Sequence, residues 1–199
     1  MSLLPYRRRR TTYGAGRIDQ WRRRQLDTPD DHTLVEIEKV HAIASDPAQY
    51  TIADLEYLND VQFDSFTSDD AYDLGATAVQ VIREWDLNLA VDILMDEYLV
   101  FRARLKDTGP GNDPWLAGKA ATVRRFGEAS YLVKLRHLEA GTPFEERDDV
   151  DHEVFKAHGG SIPIKVAGDV VGTITVSGEP QEIDHEVAAE ALKRYVASR

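Results

Sequence analysis

Two hairpin signatures constrain this chain more than any other feature. Leu89, Val91 and Ile93 face one way with Asp92 between them, Asp96-Glu97 turns the chain, and Phe101, Ala103 and Leu105 alternate with Val100, Arg102 and Arg104. Further on, Ile162, Ile164 and Val166 alternate before the Gly168-Asp169 turn, and Val170 to Val176 run back. Short turns join antiparallel strands, so each signature places two neighbouring strands in one sheet. Pro163 has no amide hydrogen to give to a ladder, which suits an edge or the start of a strand.

Helical periods lie between and around the hairpins. Thr67-Ser68-Asp69-Asp70 is an N-cap cluster, and Leu74, Ala78, Val81, Ile82 and Trp85 follow as one stripe, predicting a helix from about 68 to 85. Trp115 to Ala140 carries Leu116, Val123, Phe126, Leu132, Leu135 and Leu138 as a long helical segment, with Gly127 and Ser130 marking a kink or break. Pro180 suits the first position of a final helix whose stripe is Ile183, Val187, Ala191 and Tyr195, and whose acids Glu182, Glu186 and Glu190 form a solvated face. Upstream, Thr51 to Leu58 suits a helical turn and Val61 to Phe66 alternates as a first strand. Leu34, Ile37, Val40, His41 and Ala44 form a further short helical stripe between Pro29 and Pro47. The order is strand, helix, hairpin, long helix, hairpin, helix: an α+β domain with five antiparallel strands covered by helices.

Charge separates the start of the chain from its body. The first 30 residues hold eight arginines, Arg7, Arg8, Arg9, Arg10, Arg17, Arg22, Arg23 and Arg24, against three aspartates, a local charge of +5. The other 169 residues carry 16 basic and 32 acidic groups, so a body at −16 repels phosphate backbones and is not expected to bind nucleic acid. The arginine arm is read as an extension that docks on an acidic subunit surface or stays unstructured. No apolar run follows it as a secretory signal requires, and no stretch approaches the roughly 20 apolar residues of a membrane span, so a cytoplasmic protein without a membrane partner is expected. With no cysteine there is no disulfide or thiolate nucleophile, and no zinc site or iron–sulfur cluster is expected. The loop Lys106 to Pro114 is glycine-rich but is not a phosphate loop, because Gly118-Lys119 is followed by Ala120 rather than Ser or Thr.

Several local motifs recur in order: Thr108-Gly109-Pro110-Gly111-Asn112-Asp113-Pro114-Trp115, Lys119, Arg125-Phe126-Gly127, Ala157-His158-Gly159-Gly160-Ser161-Ile162-Pro163-Ile164 and Ser177-Gly178-Glu179-Pro180-Gln181-Glu182-Ile183-Asp184-His185. Together they resemble the haem-degrading-domain superfamily, also called GlcG-like or HbpS-like, and within it an uncharacterised branch with cytosolic fungal relatives. The resemblance covers about residues 50 to 199, dividing the chain into an Arg-rich extension over 1–45 and a GlcG/HbpS-like domain over 46–199. It implies a profilin-like α/β/α sandwich with a five-stranded antiparallel sheet, and a homo-oligomer.

The positions matching the family motifs are the candidate ligand-binding residues: Asn112, Asp113, Trp115, Lys119, Phe126, His158, Gly159, Gly160, Asp184 and His185. Under the resemblance the ligand is haem or a related tetrapyrrole, with His158 or His185 on the haem iron, Trp115 or Phe126 against the macrocycle, and Lys119 or an arginine on the propionates. The residues themselves leave structural readings open. Asn112 and Asp113 also suit a helix cap, Trp115 a core position, Lys119 a surface ion pair, and His158 a turn before two glycines. Glu179 and Glu182 have the spacing of iron-contacting acids in some haem-related proteins, but acids beside Pro180 at a helix start need no metal. Three functions follow: a haem-binding oligomer that assists haem degradation, an oligomeric interaction module without catalysis, or a small-molecule enzyme using Asp184 and His185 as an acid–base pair. The sequence decides neither whether a reaction is catalysed nor how many subunits assemble.

Overall fold

In a computed structural model, residues 50–199 are described. The arginine arm and the stripe from Leu34 to Ala44 lie outside the described residues. The chain enters through α1 (Ile52–Leu55) and a 3₁₀ turn over Glu56–Asp60, and then reaches α2 (Ser68–Glu84). Thr67 caps α2 as its composition suggests: its hydroxyl accepts from the Asp70 amide at 3.3 Å, while Asp70 Oδ2 accepts from the Thr67 amide at 2.7 Å. The strands β1 (Ala90–Met95) and β2 (Tyr98–Arg104) form the first hairpin, and β3 (Ser161–Val166) and β4 (Asp169–Ser177) the second. Both turns were legible from the alternation alone.

The sheet has four strands in the order β2-β1-β4-β3, all neighbours antiparallel. This corrects the five-stranded expectation. Of the segment Val61 to Phe66, Phe63 alone reaches the sheet, through an isolated parallel bridge to Val166 in which the Phe63 amide donates to Lys165 O at 2.9 Å. Phe63 and Phe66 instead pack as a pair, ring centroids 5.4 Å apart, with Tyr195 of the last helix beside both. The segment is held by side-chain burial rather than by a ladder.

Two helices follow the first hairpin, divided where Gly127 and Ser130 mark a break in the sequence: α3 (Asp113–Phe126) and α4 (Ser130–Glu139). The break falls at Gly127, whose φ of +73° closes α3 with its amide donating to Val123 O at 2.8 Å. Residues 152–154 form a turn on the way to β3. The chain ends in α5 (Gln181–Ala197), with Pro180 at the N-cap, one place before the position expected.

The sheet's two faces differ in chemistry. Val91, Ile93, Ile162, Ile164, Ile174 and Val176 project into the main core with the apolar stripes of α2 and α5. The opposite set is polar: Asp92, Thr173, Thr175 and Ser161 are buried, with Ser161 and Thr175 hydroxyls 2.8 Å apart. Across this side α3 packs on β4 and β3, and Asp113 at its start meets Arg104 at 2.6 Å. Helices therefore cover the sheet, and the C-terminal end of β4 runs between the starts of α3 and α5.

Candidate functional site

That junction is a cleft of about 330 Å³. The start of α3 contributes Asn112 and Trp115, and His158 lies against Trp115; Lys119 and Asp184 form the floor, and Gln181 lines the cleft from the start of α5. Gly111, Ser177, Gly178 and Glu179 complete it. Five of the ten sequence-derived candidates thus converge: Asn112, Trp115, Lys119, His158 and Asp184.

The floor is a buried ion pair. Lys119 Nζ donates to Asp184 Oδ2 at 2.6 Å and to Val176 O at 3.1 Å, while Asp184 Oδ1 accepts the Glu179 amide at 3.0 Å. Both side chains are almost wholly enclosed. Burial pushes the Asp184 carboxyl up to about 6, against the pull of Lys119, and burial likewise holds the Lys119 ammonium below its usual value, against the pull of Asp184. Both directions agree: for each partner the low dielectric opposes the charged form more strongly than the other's charge favours it.

The glycines before β3 make room for this pair. A Cβ on Gly160, whose φ is +117°, would lie 2.5 Å from Val176 O, 2.9 Å from Asp184 Cβ and 2.9 Å from Lys119 Nζ. A Cβ on Gly159 would run into Gln181 O. Neither glycine lines the cleft; they let the β3 approach press against the first turn of α5 and so hold Asp184 on Lys119.

The wall combines aromatic surface with an imidazole. Trp115 is 41% exposed, and His158 meets its ring edge-on at 5.1 Å between centroids. Lys156 Nζ stands 5.1 Å from the same indole centroid. His158 Nδ1 is buried with no hydrogen-bond partner, and burial, then the charge of Lys134, lowers the imidazole's pKa against the pull of Glu145. His158 is therefore a neutral imidazole at pH 7. Asn112 is tied down by its own bonds, accepting the Gly109 amide at 3.0 Å and donating to Ser177 O at 3.3 Å.

The other candidates lie elsewhere. Asp113 pairs with Arg104 at the surface, and Phe126 packs edge-on with Phe144 and His137 in a second, smaller core. His185 is enclosed in the main body between the rings of Tyr50 and Tyr131, 5.9 and 5.6 Å away, with neither ring nitrogen partnered. Asp184 and His185, adjacent in sequence, face different surroundings. Glu182, read as part of a solvated face, is buried and accepts from the Tyr131 hydroxyl at 2.9 Å. Glu179, which the sequence offers as an acid beside a helix start, and Gln181 also line the cleft, one on each side of Pro180 where the chain enters α5. Among the described residues, no three His, Asp or Glu side chains gather as a metal cluster would.

His185 makes stability sensitive to acid. Burial, reinforced by the charge of Lys119, holds its pKa down to about 4, below the ordinary 6.5 of an unfolded chain. The unfolded state thus takes up this proton first, and stability is lost as pH falls from 6.5 through 4. Asp184, with its raised value, acts in the opposite sense between 6 and 3.8. Replacing His185 by Phe is expected to leave stability at pH 7 little changed or higher. It should remove up to about 3 kcal/mol of the acid-dependent loss, measured as urea midpoints from pH 7 to 4.5. An unaltered pH slope would show that His185 does not titrate in this way.

The comparisons with known proteins agree with this architecture. The family model described as haem degrading protein HbpS-like matches residues 66–193. A UPF0303 protein of Streptomyces coelicolor is 44% identical over 152 residues, covering 75% of this chain and 96% of the relative. Another from Rhizobium meliloti is 38% identical over 139 residues, covering 69% and 85%. Among solved structures, the Ybr137w protein superimposes with a TM-score of 0.70 at 25% identity, covering 81% of this chain and 95% of that one. A PduOC:heme complex superimposes with a TM-score of 0.56 at 19% identity over 65% and 94%, a likeness of fold alone. These two sequence relatives are bacterial.

Proposed function

Because this chain belongs to the family described as haem degrading protein HbpS-like, we propose that it is a cytoplasmic homo-oligomer that binds haem or a related tetrapyrrole at the Trp115–His158 cleft and assists its degradation. The observation that carries the reading is the orphaned, neutral His158 imidazole set against an exposed indole. A neutral imidazole is the protonation state that ligates haem iron, and an exposed aromatic ring offers a planar ligand a stacking surface. The cleft's volume is at the low end of small-molecule sites, about 300–1,000 Å³, so it encloses one edge of a macrocycle rather than the whole. Lys119 is already met by Asp184, whereas Lys156, 5.1 Å from the Trp115 ring centroid, is a cation placed for a propionate. Bound haem would supply oxygen chemistry that side chains lack. The protein's own part is to present the imidazole, stack the ring and shield the buried pair beneath.

Self-association is supported by a separate observation. Tyr98 is 78% and Leu99 48% exposed on β2, an edge of the sheet, with exposed Tyr72 beside Phe101 of the same strand. An interaction module without catalysis would use the same edge. Titration with hemin is expected to give a saturable, stoichiometric Soret shift that travels with one defined oligomer in size exclusion with light scattering. An assembled protein with no saturable shift overturns the haem reading and favours the module.

A further inference from the structure

Lys119 is a buried amine that ligation of haem by His158 leaves unused. We propose that Lys119 is a carbonyl-capturing lysine, whose ε-amine forms an imine with a small planar aldehyde admitted by the cleft. This rests on the cleft being a ligand site, but not on the ligand being haem.

Three features of geometry carry it. The amine lies on the floor of the cleft, beneath an exposed indole that gives a planar molecule a surface to stack on. Its partner Asp184 Oδ2, at 2.6 Å, is within reach to take the ammonium's proton and return it to a carbonyl oxygen. Val176 O, at 3.1 Å, fixes the nitrogen without competing for its lone pair. Desolvation, which makes a lysine nucleophilic, is supplied by the same enclosure, and it lowers the ammonium's pKa. Asp184 and Glu179 both border the cleft, so the carbonyl compound that reaches the amine is an uncharged one.

The step balances without an oxidant or reductant. The ammonium gives its proton to Asp184; the amine's lone pair forms a C–N bond as the carbonyl π bond breaks, and Asp184 protonates the oxygen. Asp184 then takes a second proton from the nitrogen and passes it to the hydroxyl, which leaves as water while the nitrogen lone pair forms the C=N bond; a protonated imine faces the Asp184 carboxylate, and aldehyde plus ammonium has become iminium plus water.

The test traps the adduct on the native full chain at neutral pH, with benzaldehyde as the probe and borohydride as the reductant, followed by peptide mapping. One benzyl group at Lys119 is expected, at least about tenfold above the label on the surface lysines Lys106 and Lys193. Lys119→Arg keeps a cation against Asp184 and should lose that label while remaining folded. Label confined to surface lysines, with Lys119 unmodified in the folded wild type, overturns the proposal and needs no variant. A hemin shift without trapping at Lys119 sinks this inference alone, whereas trapping without a hemin shift supports it and sinks the haem reading alone.

Discussion

Gly160→Ala is expected to destabilise the protein by about 3–5 kcal/mol, lowering its melting temperature by roughly 10 °C. Two causes add. The backbone there holds φ at +117°, a conformation that a side chain resists, and the added methyl would sit 2.5 Å from Val176 O, a backbone atom that cannot swing aside. That same carbonyl accepts from Lys119, and Asp184 Cβ lies 2.9 Å from the new atom, so any relief disturbs the buried pair. Gly111→Ala provides the comparison: it borders the cleft, yet its added methyl would meet nothing within 4 Å. Thermal unfolding of the two variants should separate them widely, and equal melting temperatures would contradict the tight approach of β3 to α5.

Lys119→Met is expected to cost about 3–5 kcal/mol, because Asp184 is left buried without its cation. The double variant Lys119→Met/Asp184→Leu should recover most of that loss, since an apolar pair of similar volume has no desolvation to offset. The pH dependence has a definite sign. Without the ammonium's pull, the Asp184 carboxyl in the folded chain rises further above its unfolded value of 3.8. A raised carboxyl favours the folded state while protonated, so the deficit should be small near pH 4 and grow as pH rises through and above 6. Urea midpoints at pH 5 and 8 read this directly. A single variant as stable as wild type at pH 8, or a double variant no better than the single, would contradict the account of the floor.

What could be read without coordinates was local. Period-two alternation and a turn are enough to place β1 with β2 and β3 with β4, because pairing partners in a hairpin are neighbours in sequence. Val61 to Phe66 alternates just as well, yet it spends its aromatic residues on Tyr195 and makes one bridge; whether an alternating run finds a ladder depends on residues far away. Glu182 misled for the same reason. Acids four apart on a helix read as solvated, and nothing nearby reveals that Tyr131, 51 residues earlier, reaches it. The cleft was partly legible through residue types: Asn112, Trp115, Lys119, His158 and Asp184 were all singled out. Their roles were not. Lys119 and Asp184 are 65 residues apart, so their pairing is a property of how α3 and α5 meet at the end of β4. His185 shows the converse, since its neighbour Asp184 borders the cleft while its own ring turns into the core.

The central claim is that the Trp115–His158 cleft receives the ligand, and hemin titration of His158→Ala beside His185→Ala tests it most directly. His158→Ala is expected to lose the Soret shift or weaken hemin binding by at least about tenfold, equivalent to about 1.4 kcal/mol. His185→Ala should leave the spectrum of the folded protein unchanged. Loss of the shift in His185→Ala alone, or in neither variant, would contradict the assignment of the ligand to this cleft.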